Sequence, residues 1–71
     1  MINKTTFGQL NIGDEFIVFS WQDTPKMKIP VVCALEDGNQ YNTVYLGESE
    51  EYARGAIVRY GDDMEVYKLN D

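Results

Sequence analysis

Twelve side chains of this 71-residue sequence are carboxylates and none is an imidazole. Whatever chemistry the chain performs must therefore run on acids, tyrosines, a few cations and one thiol. The acids are densest in Glu48-Ser49-Glu50-Glu51 and Asp62-Asp63-Met64-Glu65. Neither run pairs an acid with a base at a spacing that supports proton transfer. Asp14 and Glu15 are neighbours, so on a strand they point to opposite faces and make no carboxylate pair. Asp62, Asp63 and Glu65 lack the loop and the closing glutamate of a calcium-binding hand. Cys33 lies between Val32 and Ala34, where a cysteine is expected to be buried as a small hydrophobe. With no histidine to activate it, a nucleophilic role is not expected. The glycines are scattered as turn punctuation and form no phosphate loop. The sequence reads as a non-enzyme with no cofactor and no metal.

Binding is the better reading. The net charge is −6, and residues 1–35 balance three acids with three bases. Residues 36–71 hold nine acids against Arg54, Arg59 and Lys68, so the whole excess lies in the second half. A field of that sign repels phosphate backbones and lipid headgroups and favours a basic protein partner. The five tyrosines and one tryptophan add amphipathic rings of the kind enriched at interface cores. The expected docking face combines Glu48, Glu50, Glu51, Asp62, Asp63 and Glu65 with Tyr45, Tyr52, Tyr60 and Tyr67. Three other readings compete: inhibition of a nucleic-acid-binding protein by charge mimicry, direct nucleic-acid binding through Trp21, Lys26 and Lys28, and self-assembly along the strand edge near Pro30. Trp21, which follows a thoroughly apolar strand, also suits a core or loop-anchoring position. The expected state is a monomer or homodimer. With no apolar run long enough to span a bilayer, no signal-peptide pattern and one cysteine, the expected location is the cytoplasm.

The elements that must position these groups read as strands cut by glycine-containing turns. Thr6–Leu10 is expected to form one helical or 3₁₀ turn, with Phe7 and Leu10 on one face and Thr6 as its cap. A first strand, Glu15–Trp21, carries apolar residues on both faces: Phe16 and Val18 on one, Ile17, Phe19 and Trp21 on the other. A second, Met27–Leu35, contains Pro30, which marks an edge, a bulge or a bend. After the Glu36–Asn39 turn, Tyr41–Leu46 is expected to point Val44 and Leu46 inward and Thr43 and Tyr45 outward. Ser49 is placed to cap a short turn through Tyr52. Ala56–Tyr60 and Glu65–Leu69 are the last strands, joined by a hairpin turn at Gly61-Asp62-Asp63. The fold expected is a single, mostly β domain over residues 1–71: a five-stranded, strongly bent antiparallel sheet or SH3-like barrel with one or two short helical turns.

The opening Phe7-x-x-Leu10-x-x-Gly13-Asp14-x-Phe16 resembles that of a loose group of small, mostly uncharacterised bacterial and phage proteins. The matching continues through Lys28-Ile29, Asn42-Thr43-Val44-Tyr45-Leu46-Gly47 and Val66. The resemblance implies a small β-rich domain and carries no activity with it.

Overall fold

The computed structural model describes residues 2–18 and 23–69. Trp21 and Phe19 lie outside the described residues. The chain is mostly β, with six strands among the described residues: β1 (Ile2–Thr6), β2 (Glu15–Ile17), β3 (Lys26–Cys33), β4 (Gln40–Tyr45), β5 (Ile57–Val58) and β6 (Glu65–Leu69). They form one antiparallel sheet in the order β1-β6-β2-β3-β4-β5. A 3₁₀ turn at Phe7–Gln9 follows β1 directly. No helix among the described residues is long and apolar enough to cross a membrane.

Two features differ from expectation, and a third favours the sheet over the barrel. β1 is an additional strand, pairing with β6 from Ile2↔Leu69 to Thr6↔Glu65. β5 and β6 do not form a hairpin, because β5 pairs with β4 and β6 pairs with β1 and β2. The sheet is also unclosed, with β1 and β5 at its two edges. The chain turns at Gly61–Met64, where the Met64 N–H donates to the Gly61 carbonyl at 3.2 Å. That turn carries the chain from one end of the sheet to a strand near the other. Tyr60, in the segment between β5 and that turn, packs against the core.

Phe7, Leu10, Phe16 and Val66 form the buried cluster, with Val18, Tyr60 and Met64 against it. Phe7, Phe16 and Tyr60 meet pairwise edge to face, with centroids 5.5–6.0 Å apart. Each such pair adds roughly 0.5–1.5 kcal/mol beyond area burial. The 3₁₀ turn is seated by its neighbours and not by its cap. Phe7 and Gly8 donate backbone N–H bonds to Met64 and Asp62 carbonyls at 2.8 Å, while the Thr6 side chain makes no capping bond. Gly8 is required there, because a Cβ would stand 2.9 Å from the Asp62 Cβ and 3.0 Å from its carbonyl oxygen.

Pro30 sits at a bulge. The β3–β4 register runs Lys28↔Thr43 and then Val32↔Tyr41, so three residues of β3 face one of β4. Beyond the bulge β3 outruns β2, and Pro30 through Cys33 are exposed. Cys33 is therefore a surface thiol and not a core residue. Leu35, expected to end the strand, is fully exposed in the turn beyond it.

Candidate functional site

β4 presents the face opposite to the one expected. Thr43 is 0% and Tyr45 8% exposed, while Val44 is only half-buried. The reason lies in its partner: Lys26 stands opposite Tyr45, and Lys26 in turn stands opposite Phe16. The core face of β2 thus continues through a lysine onto a tyrosine. Lys26 is buried, at 1% exposure. Its ammonium donates to Asp23 Oδ2 and to the Thr24 carbonyl, both at 2.8 Å, and lies 4.8 Å from the centroid of the Tyr45 ring. Burial alone favours the neutral form of Asp23. The hydrogen bond from Lys26, the Val18 and Thr24 N–H groups and the nearby charge outweigh that, holding the Asp23 carboxyl below the usual carboxylate range.

Above this buried pair lies an open groove of about 980 Å³. Residues 23–25 form one wall, and Gly47 through Glu51 form the other, with Tyr45 on the floor. The walls are tied together: the Leu46 N–H donates to the Pro25 carbonyl at 3.0 Å, and the Thr24 hydroxyl to the Glu48 carbonyl at 3.1 Å. The loop between them is held by Ser49, whose N–H donates to the Tyr52 carbonyl at 2.8 Å and whose hydroxyl accepts from the Tyr52 N–H at 3.0 Å. This is the turn expected from Ser49, and it packs the Tyr52 ring 4.9 Å from Tyr45 at a tilt of 37°. Glu48, Glu50 and Glu51 are exposed and make no ion pair among the described residues. With Asp23 neutralised by Lys26, three uncompensated carboxylates line an aromatic-floored groove.

The remaining candidates lie elsewhere. Tyr60 has its ring in the core, and burial pushes its phenol above the ordinary range, helped by the Tyr45 hydroxyl and the negative charge of Asp23 nearby. Asp62 borders a smaller hollow of about 230 Å³ with Arg59, Tyr41 and Val31. Asp63 is exposed in the adjoining turn. Glu65 reaches Lys4 at 3.1 Å across β1–β6, and Tyr67 stands between Lys4 and Ile17 on β6. The ten residues therefore do not form one face: Tyr45, Glu48, Glu50 and Glu51 line the groove, and Tyr52 packs on Tyr45 beside it.

The two lysines of the nucleic-acid reading do not make a surface patch. Lys26 is buried, and Lys28 donates to the Phe7 and Leu10 carbonyls at 3.1 and 2.8 Å, with its ammonium 4.8 Å from the centroid of the Phe7 ring. Lys28 thereby adds a second donor to the Phe7 carbonyl, which also accepts from the Leu10 N–H at 3.1 Å, and supplies one to the Leu10 carbonyl at the end of the 3₁₀ turn. Sequence reasoning missed Asp23, Thr24, Pro25, Gly47 and Ser49 as groove residues. The signal was present in Asp23-Thr24-Pro25-Lys26, an acid and a base three residues apart across a proline, which reads first as a chain break. No group of three or more metal-ligating side chains is assembled among the described residues. Comparisons with protein-family models, curated proteins and solved structures find no match to this chain.

Proposed function

We propose that this protein is a non-enzymatic interaction module that receives a basic segment of another protein in the groove between residues 23–25 and 47–51. The observation that carries this reading is the gathering of Glu48, Glu50 and Glu51 beside the Tyr45–Tyr52 pair with no ion pair to neutralise them among the described residues. Exposed carboxylates attract a cationic side chain over several ångströms and speed its encounter. The Tyr52 ring, 39% exposed beside the groove, supplies a surface on which the aliphatic stem of a lysine or the plane of an arginine can lie. The tied walls hold the groove's shape, which lowers the ordering cost of binding.

The test is the triple reversal Glu48→Lys/Glu50→Lys/Glu51→Lys. The three positions are exposed, so the circular dichroism spectrum and urea midpoint should stay near those of the wild type. Capture of a basic partner at physiological salt should be lost. Wild-type capture should also weaken as salt rises, since the Debye length shrinks from ~8 Å at physiological strength to ~3 Å at 1 M. Unchanged capture by the triple variant would remove the groove from the proposal.

A further inference from the structure

The turn joining β3 to β4 contains Asp37-Gly38, and among aspartyl dipeptides Asp-Gly is the one in which the following backbone nitrogen most readily attacks the side chain. Glycine offers no Cβ to hinder the approach, and both residues are exposed. In that reaction the Gly38 nitrogen bonds to Asp37 Cγ. One carboxyl oxygen departs as water, taking up the amide proton and the acid proton. Water then opens the resulting succinimide at the main-chain carbonyl, leaving the chain routed through Cβ and Cγ as an isoaspartate. The atoms balance, with one water lost and one regained, and no other reagent is needed.

The structure opposes this reaction at both of the reacting groups. The Gly38 N–H is committed to the Ala34 carbonyl at 2.8 Å. The Asp37 carboxylate is held by the Asn39 N–H on Oδ1 at 2.9 Å and by the Tyr41 hydroxyl on Oδ2 at 2.7 Å. A carboxylate bound in this way is a poor electrophile, because oxygen leaves as water only from the protonated acid. The Asn39 N–H first, and then the Tyr41 hydroxyl, hold that carboxyl below the usual range. We infer that Asp37–Gly38 is a latent site of backbone self-modification, which the folded turn holds in check through Tyr41 and the Ala34 carbonyl. Opening of the hairpin releases it, and the additional backbone carbon then breaks the Ala34–Asn39 closure at 2.9 Å that ends the β3–β4 ladder.

The experiment ages the purified full chain at mildly acidic pH, folded and in urea. Isoaspartate at residue 37 is counted by peptide mass spectrometry and by enzymatic methyl transfer. The folded chain should form it at least about fivefold more slowly than the unfolded chain, and Tyr41→Phe should raise the folded rate by about fivefold, the scale of one exposed hydrogen bond. Asp37→Glu should abolish the signal, because the ring it must close is larger. Equal rates in folded and unfolded wild type would overturn the inference, as would a folded Tyr41→Phe chain that ages like the wild type. Should Tyr41→Phe unfold, the wild-type ratio decides alone.

Discussion

Removing either member of the Asp23–Lys26 pair should have very unequal consequences. The Lys26 side chain is 2% exposed and that of Asp23 16%. Asp23→Ala therefore strands a buried ammonium with the Thr24 carbonyl and the Tyr45 ring as its remaining partners. It also takes an acceptor from the Val18 N–H. Breaking a buried pair from one side costs about 3–5 kcal/mol, and the partial exposure of Asp23 places this case near 3. Lys26→Met keeps the stem that packs under Tyr45. It leaves a carboxylate that still accepts from Val18 and Thr24 and reaches water, so the cost should be about 1 kcal/mol. The double variant should sit near the lysine variant, giving a coupling of about 3 kcal/mol. A chain of this length has roughly 4–10 kcal/mol of stability in total. Urea unfolding, with a slope of about 1 kcal/mol/M for so small a protein, should show midpoints lower by about 3 M and 1 M. Equal costs for the two single variants, adding in the double, would refute the argument that the lysine is the buried partner. The pH dependence has a fixed sign. Asp23 is held below its unfolded value, so its contribution is complete above about pH 4 and is lost as pH falls through the folded value. Asp23→Ala should flatten that acid limb.

The contacts of Gly8, Asn42 and Tyr60 set four further outcomes. Gly8→Ala drives a Cβ into the Asp62 backbone at 3.0 Å and should cost about 1–3 kcal/mol by chemical denaturation. Asn42 donates to the Tyr60 carbonyl at 2.9 Å and accepts from the Tyr60 N–H at 3.0 Å; Asn42→Asp keeps the acceptor, sets a carboxylate against a carbonyl and should cost about 1–3 kcal/mol by the same assay. Spectrophotometric titration should find Tyr60 ionising last of the five tyrosines, and Tyr60→Phe should remove that final step. Since the Tyr60 phenol is raised in the folded state, stability should fall as pH climbs above about 10, where the unfolded chain begins to release its proton.

Much of this architecture is legible in the sequence because large apolar side chains and special turn residues leave few alternatives. The three-residue spacing of Phe7 and Leu10 puts them on one face of a short turn, and period two puts Phe16 and Val18 on one face of a strand; the first three lie in the buried cluster and Val18 packs against it. Pro30 was expected at an edge, bulge or bend, and it lies in a bulge. β1 was missed because Ile2-Asn3-Lys4-Thr5-Thr6 has neither the aromatic content nor the apolar alternation of a core strand. It is an edge strand held by the β6 ladder, and pairing of that kind depends on a partner some sixty residues away. The hairpin expected at Gly61-Asp62-Asp63 failed for a related reason. A turn dipeptide reports that the chain reverses locally, but it does not report which strand the next segment will join.

The inverted face of β4 explains why the groove was only partly visible. Hydrophobicity ranks Val44 and Leu46 above Thr43 and Tyr45, so a pattern read one strand at a time turns the valine inward. Burial is decided across the sheet, where Tyr45 faces Lys26 and Thr43 faces Lys28. Each lysine is useful inward because its ammonium donates to main-chain carbonyls: Thr24 for Lys26, and Phe7 and Leu10 for Lys28. A tyrosine can cover such an ammonium with its ring while its hydroxyl reaches other polar groups, which valine cannot do. The same choice that buries Lys26 removes it from the surface and cancels Asp23. The acids of residues 48–51 are then left as the uncompensated charge of the groove. The separation of an internal, neutralised pair from an external, unneutralised rim is what makes this groove a candidate for a cationic partner, and it comes from pairing register rather than composition.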